Sequence, residues 1–119
     1  MTSLNMNGPY ELTSKKIDEV VTKTSAGNYA LGYFSDSTFY VRYVGRSDND
    51  VNSRLQAWVG KSDRYKHFKY SYETSSKAAF EKECKNFHDF GGSKDLDNEQ
   101  HPQRPKGTNW KCPVCDIYD

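Results

Sequence analysis

A chain of 119 residues and 13.7 kDa makes one domain, long enough for a real core and too short for two. Seventeen Lys/Arg against sixteen Asp/Glu give a formal net charge of +1, which allows a clustered basic face for nucleic acid without requiring one. The sequence has no run near the ~20 apolar residues of a membrane span, and its first residues lack the basic-then-apolar pattern of a secretory signal, so the expected compartment is the cytoplasm.

Residues 1–12 contain Asn, Gly and Pro without periodicity and read as an ordered lead or a loose arm. Thr13 looks like an N-cap, and Ile17, Val20 and Val21 behind it recur at helical spacing, giving a short amphipathic helix that stops at Thr24-Ser25-Ala26-Gly27. Residues 29–34 and 39–44 are aromatic and β-branched strands joined by Ser35-Asp36-Ser37-Thr38, which has hairpin-turn composition. Gly45 ends the second strand. Asp48 or Asp50 can then cap a helix with Val51, Leu55, Trp58 and Val59 on one stripe; Arg54 falls about 60° from Val51, on the stripe's edge. Residues 68–73 alternate like a third strand, and Thr74, Ser75 or Ser76 opens a last helix running to about Asp89 before Gly91-Gly92. A polar loop with Pro102 and Pro105 leads to a Cys knuckle. The expected fold is α+β: a single domain with a three-stranded antiparallel sheet flanked by helices, and a C-terminal extension stapled by zinc.

Tyr43-Val44-Gly45 closes the second strand and is followed at once by Arg46-Ser47 and the helix carrying Arg54. Gly27-Asn28-Tyr29 opens the preceding strand, His67 lies thirteen residues beyond Arg54, and Glu83 sits on the last helix. Each tripeptide alone is common, but the ordered set resembles the GIY-YIG nuclease superfamily. The resemblance covers residues 27–98 and leaves 99–119 as the extension. Asn28 stands where that family has an apolar residue, and fourteen positions separate Tyr29 from Tyr43, a somewhat long hairpin.

The resemblance implies an endonuclease that hydrolyses a phosphodiester bond of DNA. Tyr43 is then the general base, Tyr29 and His67 shape its hydrogen-bond network, Arg54 clamps phosphate oxygens and Glu83 holds Mg²⁺ or Mn²⁺. The residue types suit these duties. A planar guanidinium matches a phosphate, and a hard ion that keeps much of its water needs few carboxylates. A phenol of ordinary pKa near 10 needs help from the metal or from Arg54 to accept a proton. Near-neutral charge implies weak intrinsic DNA affinity, raised by a homodimer or a protein partner. On the same scaffold, a module that binds nucleic acid or protein without cutting is the alternative.

Taken singly, Tyr29 and Tyr43 are ordinary strand aromatics, Arg54 could snorkel beside Leu55 and Trp58, and His67 could be a solvated surface histidine. Glu83 differs because helical geometry puts it on the inward face with Ala79, Phe80 and Phe87, where a carboxylate needs a cation, a metal or a site water. Glu81 falls on the flank.

Cys112-Pro113-Val114-Cys115 has knuckle spacing, and three cysteines argue for metal rather than a disulfide framework. Cys84 and His88, four residues apart on one helix face, complete a Cys₃His zinc site with Cys112 and Cys115. His101 is the rival fourth ligand. Alternatively Cys84 packs as a small hydrophobe and the knuckle holds no metal.

Overall fold

The computed structural model describes residues 4–61 and 63–117. Thr13, Asp50 and Ser75 each accept a hydrogen bond from the backbone N–H three residues on, those of Lys16, Ser53 and Ala78. They thereby start the three main helices: α1 (Ser14–Val20), α2 (Val51–Trp58) and α3 (Ser76–Asp89). Gly91, in the left-handed region at φ 98°, ends α3 and opens the short α4 (Gly92–Asp95).

The sheet is antiparallel and has four strands, not three. Its strands are β1 (Asn7–Glu11), β2 (Gly27–Ser35), β3 (Thr38–Ser47) and β4 (His67–Tyr72), in the order β1-β4-β2-β3. The unforeseen strand is β1, in the segment expected to be a lead or arm, which pairs with β4 through Asn7↔Tyr70 and Tyr10↔Phe68. Pro9 lacks a donor and the register slips between Asn7 and Tyr10, so the segment carries no period-2 signal; only an edge position tolerates it. Helix α1 also stops earlier than expected, at Val20. Strand β3 runs on through Gly45 and Arg46 to Ser47, which pair with Tyr29, Asn28 and Gly27.

Two apolar layers sandwich the sheet. Tyr29, Leu31, Phe68 and Tyr70 share one face with Ile17, Val21, Val51 and Leu55 of the α1–α2 side. On the opposite face Ala30 and Val44 pack with Leu4, Phe87 and Leu96. The free edge of β3 is covered rather than left open. Asn98 exchanges two hydrogen bonds with the Val44 backbone (2.8 and 3.0 Å), and the Asp97 N–H donates to the Arg42 carbonyl at 2.6 Å. No helix among the described residues is long and apolar enough to cross a membrane.

Candidate active-site cleft and metal centre

A register shift builds the site. From the turn at Asp36-Ser37, both residues with positive φ as a tight hairpin turn requires, the ladder pairs Phe34 with Phe39 and Gly32 with Val41. Continued unbroken, it would set Tyr43 opposite Ala30, on the face away from Tyr29. A bulge at Arg42 intervenes, and beyond it Leu31 pairs with Tyr43 and Tyr29 with Gly45. Tyr29 and Tyr43 therefore stand on one face, with rings stacked at 6.4 Å. Gly32 sits at the slip, where a Cβ would collide with the Tyr40 carbonyl. Gly45 has a related duty: a Cβ there would strike the ring and hydroxyl of Tyr29.

Tyr29, Tyr43, Gly45, Arg46, Arg54 and Glu83 line one open cleft of about 360 Å³, completed by Asp48 and Gln103. It gathers groups from both faces of the sheet because β3 is an edge strand and Gly45 has no side chain to divide them. Four of the five expected catalytic residues thus meet. Arg54 is exposed, and its charge reaches both tyrosines.

His67, the fifth, is not there. It pairs with Gly32, one step from Phe68 along β4, so alternation turns it to the face opposite Phe68 and Tyr29. Its ring lies 5.9 Å from Phe34, and its buried Nδ1 has no partner among the described residues. Trp58 and Tyr65 surround Tyr43 instead, at centroid distances of 4.7 and 6.3 Å, and Trp58 Nε1 donates to the Tyr29 hydroxyl at 2.9 Å.

Glu83 is buried on the inward face of α3, as helical geometry predicts, and its partner is a residue that the sequence did not single out. Arg46 Nη1 donates to Glu83 Oε1 at 2.5 Å, Nη2 to the Gln103 carbonyl at 2.7 Å and Nε to Asp48 at 3.0 Å, while the guanidinium lies over the Phe80 ring. Alternation along a longer β3 is the signal that could have found Arg46, since it must face α3 if Gly45 faces Tyr29. Asn28, the departure from the family pattern, ties β2 to α3 by donating to the Ala79 carbonyl at 2.9 Å.

Burial raises the Tyr43 phenol above its ordinary range, with Glu83 adding to the shift and Arg54 opposing it. Burial raises Tyr29 further, against the hydrogen bond from Trp58. Desolvation also raises the Glu83 carboxyl, and the Arg46 charge counteracts it.

No family model matches the chain, and no curated protein or solved structure does.

A second cluster lies where the extension meets α3. Its members are His88, His101, Cys112 and Cys115, whose ligand atoms all lie within 4.8 Å of one another and could hold a metal ion. The set differs from the expected one in that His101 takes the place of Cys84. The Cys84 thiol is fully buried against Phe80 and Cys112, with Trp110 beside them, and burial pushes its pKa up. Sharing a helix face with His88 was not enough. One turn of α3 separates the two residues, and the polar loop with Pro102 and Pro105 brings His101 against His88, with ring centroids 5.1 Å apart.

Proposed function

We propose that the chain is a metal-dependent DNA endonuclease with a GIY-YIG-type site. The observation that carries this reading is that Tyr29, Tyr43, Arg54 and Glu83, picked by their order in the sequence, line one cleft. Water attacks the phosphorus and gives its proton to the Tyr43 phenolate; the bond to the 3′ oxygen breaks and that oxygen takes a proton from solvent, leaving a 5′-phosphate and a 3′-hydroxyl. Arg54 neutralises the equatorial oxygens and Tyr29, fixed by Trp58, orients Tyr43. Glu83, with one oxygen held by Arg46, would hold Mg²⁺ or Mn²⁺ through the other, and such an ion would supply a lowered pKa for bound water and charge stabilisation for the leaving oxygen. The raised Tyr43 pKa makes that help necessary. Zinc in the Cys/His cluster has a separate, structural duty. The substrate is DNA reached in the cytoplasm, with a second copy or a protein partner supplying affinity that a net charge of +1 does not.

A non-cleaving binding module is the second reading, and the Arg46–Glu83 pair favours it, because the guanidinium already supplies the cation a buried carboxylate needs. A cleavage screen over duplex, single-stranded, flapped and branched DNA, with Mg²⁺ or Mn²⁺ and a Glu83→Ala control, separates the two. Metal-dependent products with 5′-phosphate ends support the nuclease; retarded but intact DNA supports the module.

A further inference from the structure

We propose that His88, His101, Cys112 and Cys115 bind one zinc ion in a closed tetrahedral site, and that this ion holds the Gln103 carbonyl in place against Arg46 at the cleft.

The donor geometry is nearly that of a loaded site. Tetrahedral zinc, with Zn–S about 2.3 Å and Zn–N about 2.0–2.1 Å, sets its ligand atoms about 3.3–3.8 Å apart. Here all four lie within 4.8 Å, and Cys115 Sγ and His101 Nε2 are 3.4 Å apart. His88 Nε2 is buried with no hydrogen-bond partner among the described residues, a costly state for a ring nitrogen unless a ligand completes it. His101 Nδ1 lies 2.8 Å from the Pro102 carbonyl and must donate to it, which leaves the Nε2 lone pair turned to Cys115. The Val114 N–H donates to Cys112 Sγ at 3.5 Å, a contact suited to a thiolate. Two sulfurs and two imidazoles match a borderline-soft ion without redox chemistry, and a hard oxygen-seeking ion poorly. Four protein ligands leave no position for substrate, so the ion acts through structure.

That structure reaches the cleft by two short routes. Gln103 is two residues beyond His101, and its carbonyl accepts from Arg46 Nη2 at 2.7 Å. Glu83 lies five residues before His88 on α3 and accepts from Arg46 Nη1. One ion thus ties together the two backbone segments between which Arg46 is held. The ligand assignment is independent of the nuclease reading, and so is its test.

Native mass spectrometry should count one zinc per chain in the wild-type protein and in Cys84→Ser, and none in His101→Ala or Cys115→Ser. Cobalt replacement in the wild-type protein, which needs no variant to fold, should give tetrahedral d–d bands and the charge-transfer intensity of two thiolates. Chelation should accelerate amide exchange across residues 99–104. A protein without zinc, a Cys84→Ser that loses zinc while His101→Ala keeps it, or a three-thiolate cobalt spectrum would overturn the site. Zinc bound by the four residues with exchange in 99–104 unchanged by chelation would overturn its hold on the cleft.

Discussion

Arg46 Nη1 and Glu83 Oε1 meet at 2.5 Å with both side chains largely buried, 13% and 11% exposed, so the inward carboxylate of α3 already has a cation beside it. The two groups behave as one unit of the cleft. Breaking a buried pair from one side leaves the other charge short of a partner.

Glu83→Gln should therefore destabilise the fold. Arg46 keeps Asp48 and the Gln103 carbonyl, and Gln retains an acceptor, so the expected loss is about 1–3 kcal/mol, read as a lower urea midpoint at unchanged slope. Glu81→Gln, on the half-buried flank, should move the midpoint by less than about 0.5 kcal/mol. The reverse order would mean that α3 presents a different face.

Tyr43→Phe removes only a hydroxyl. Its ring contacts with Tyr29 and Trp58 persist, so the melting temperature should hold while cleavage falls by about 10²-fold or more. Burial and Glu83 raise the wild-type phenol pKa above 10.0, so the reactive phenolate is the minor species at neutral pH. The wild-type rate should climb about tenfold per pH unit from 7 to 9 without a plateau, and Tyr43→Phe should lose that slope.

Gly32→Ala tests the register. A Cβ at the slip meets the Tyr40 carbonyl, so the strands must separate or the bulge must move, and a moved bulge turns Tyr43 away from Tyr29. Expected are a loss of about 1–3 kcal/mol and altered near-ultraviolet dichroism of the stacked tyrosines. A variant with wild-type stability and spectrum would show that the bulge does not depend on this glycine.

Asp97 gives the edge of β3 its pH response. Desolvation raises its carboxyl, but hydrogen bonds from Tyr65 at 2.8 Å and Arg42 at 3.1 Å outweigh that and lower it below 3.8. A depressed folded pKa contributes stability that is full above the unfolded value and lost as pH falls through the folded one. Asp97→Asn should thus lower the melting temperature at pH 7, and the gap to wild type should close as pH drops below about 4. A constant gap would assign the effect to packing.

The helix cap at Thr13, the hairpin turn and the inward phase of Glu83 were legible because each is a local matter of side-chain chemistry or a single period; the other two helix starts were legible only to within two or three residues, and the backbone bonds to Asp50 and Ser75 decide them. β1 was not legible, since an edge strand with Pro9 and a register slip keeps no alternation. The grouping of Tyr29 with Tyr43 came from motif order; the bulge that physically unites them has no signature beyond Gly32. His67 was misplaced for want of strand register: the start of β4 decides which face it takes, and composition leaves that open by one residue. Arg46 was missed because Gly45 was read as the end of β3. His101 displaced Cys84 because the path of a long polar loop depends on contacts distant in sequence, among them Asn98 on Val44 and Trp110 on Phe80.

A catalytic Tyr43 and a metal-holding Glu83 are tested most directly by the single-turnover cleavage rate of DNA across a Mg²⁺ titration, compared for the wild-type protein, Tyr43→Phe and Glu83→Gln, with DNA binding measured in parallel. Expected are metal-dependent cutting by wild type, and a loss of about 10²-fold or more in both variants while DNA binding is retained. Cutting at the wild-type rate in either variant, or binding without cutting by wild type on every DNA form, would contradict these roles.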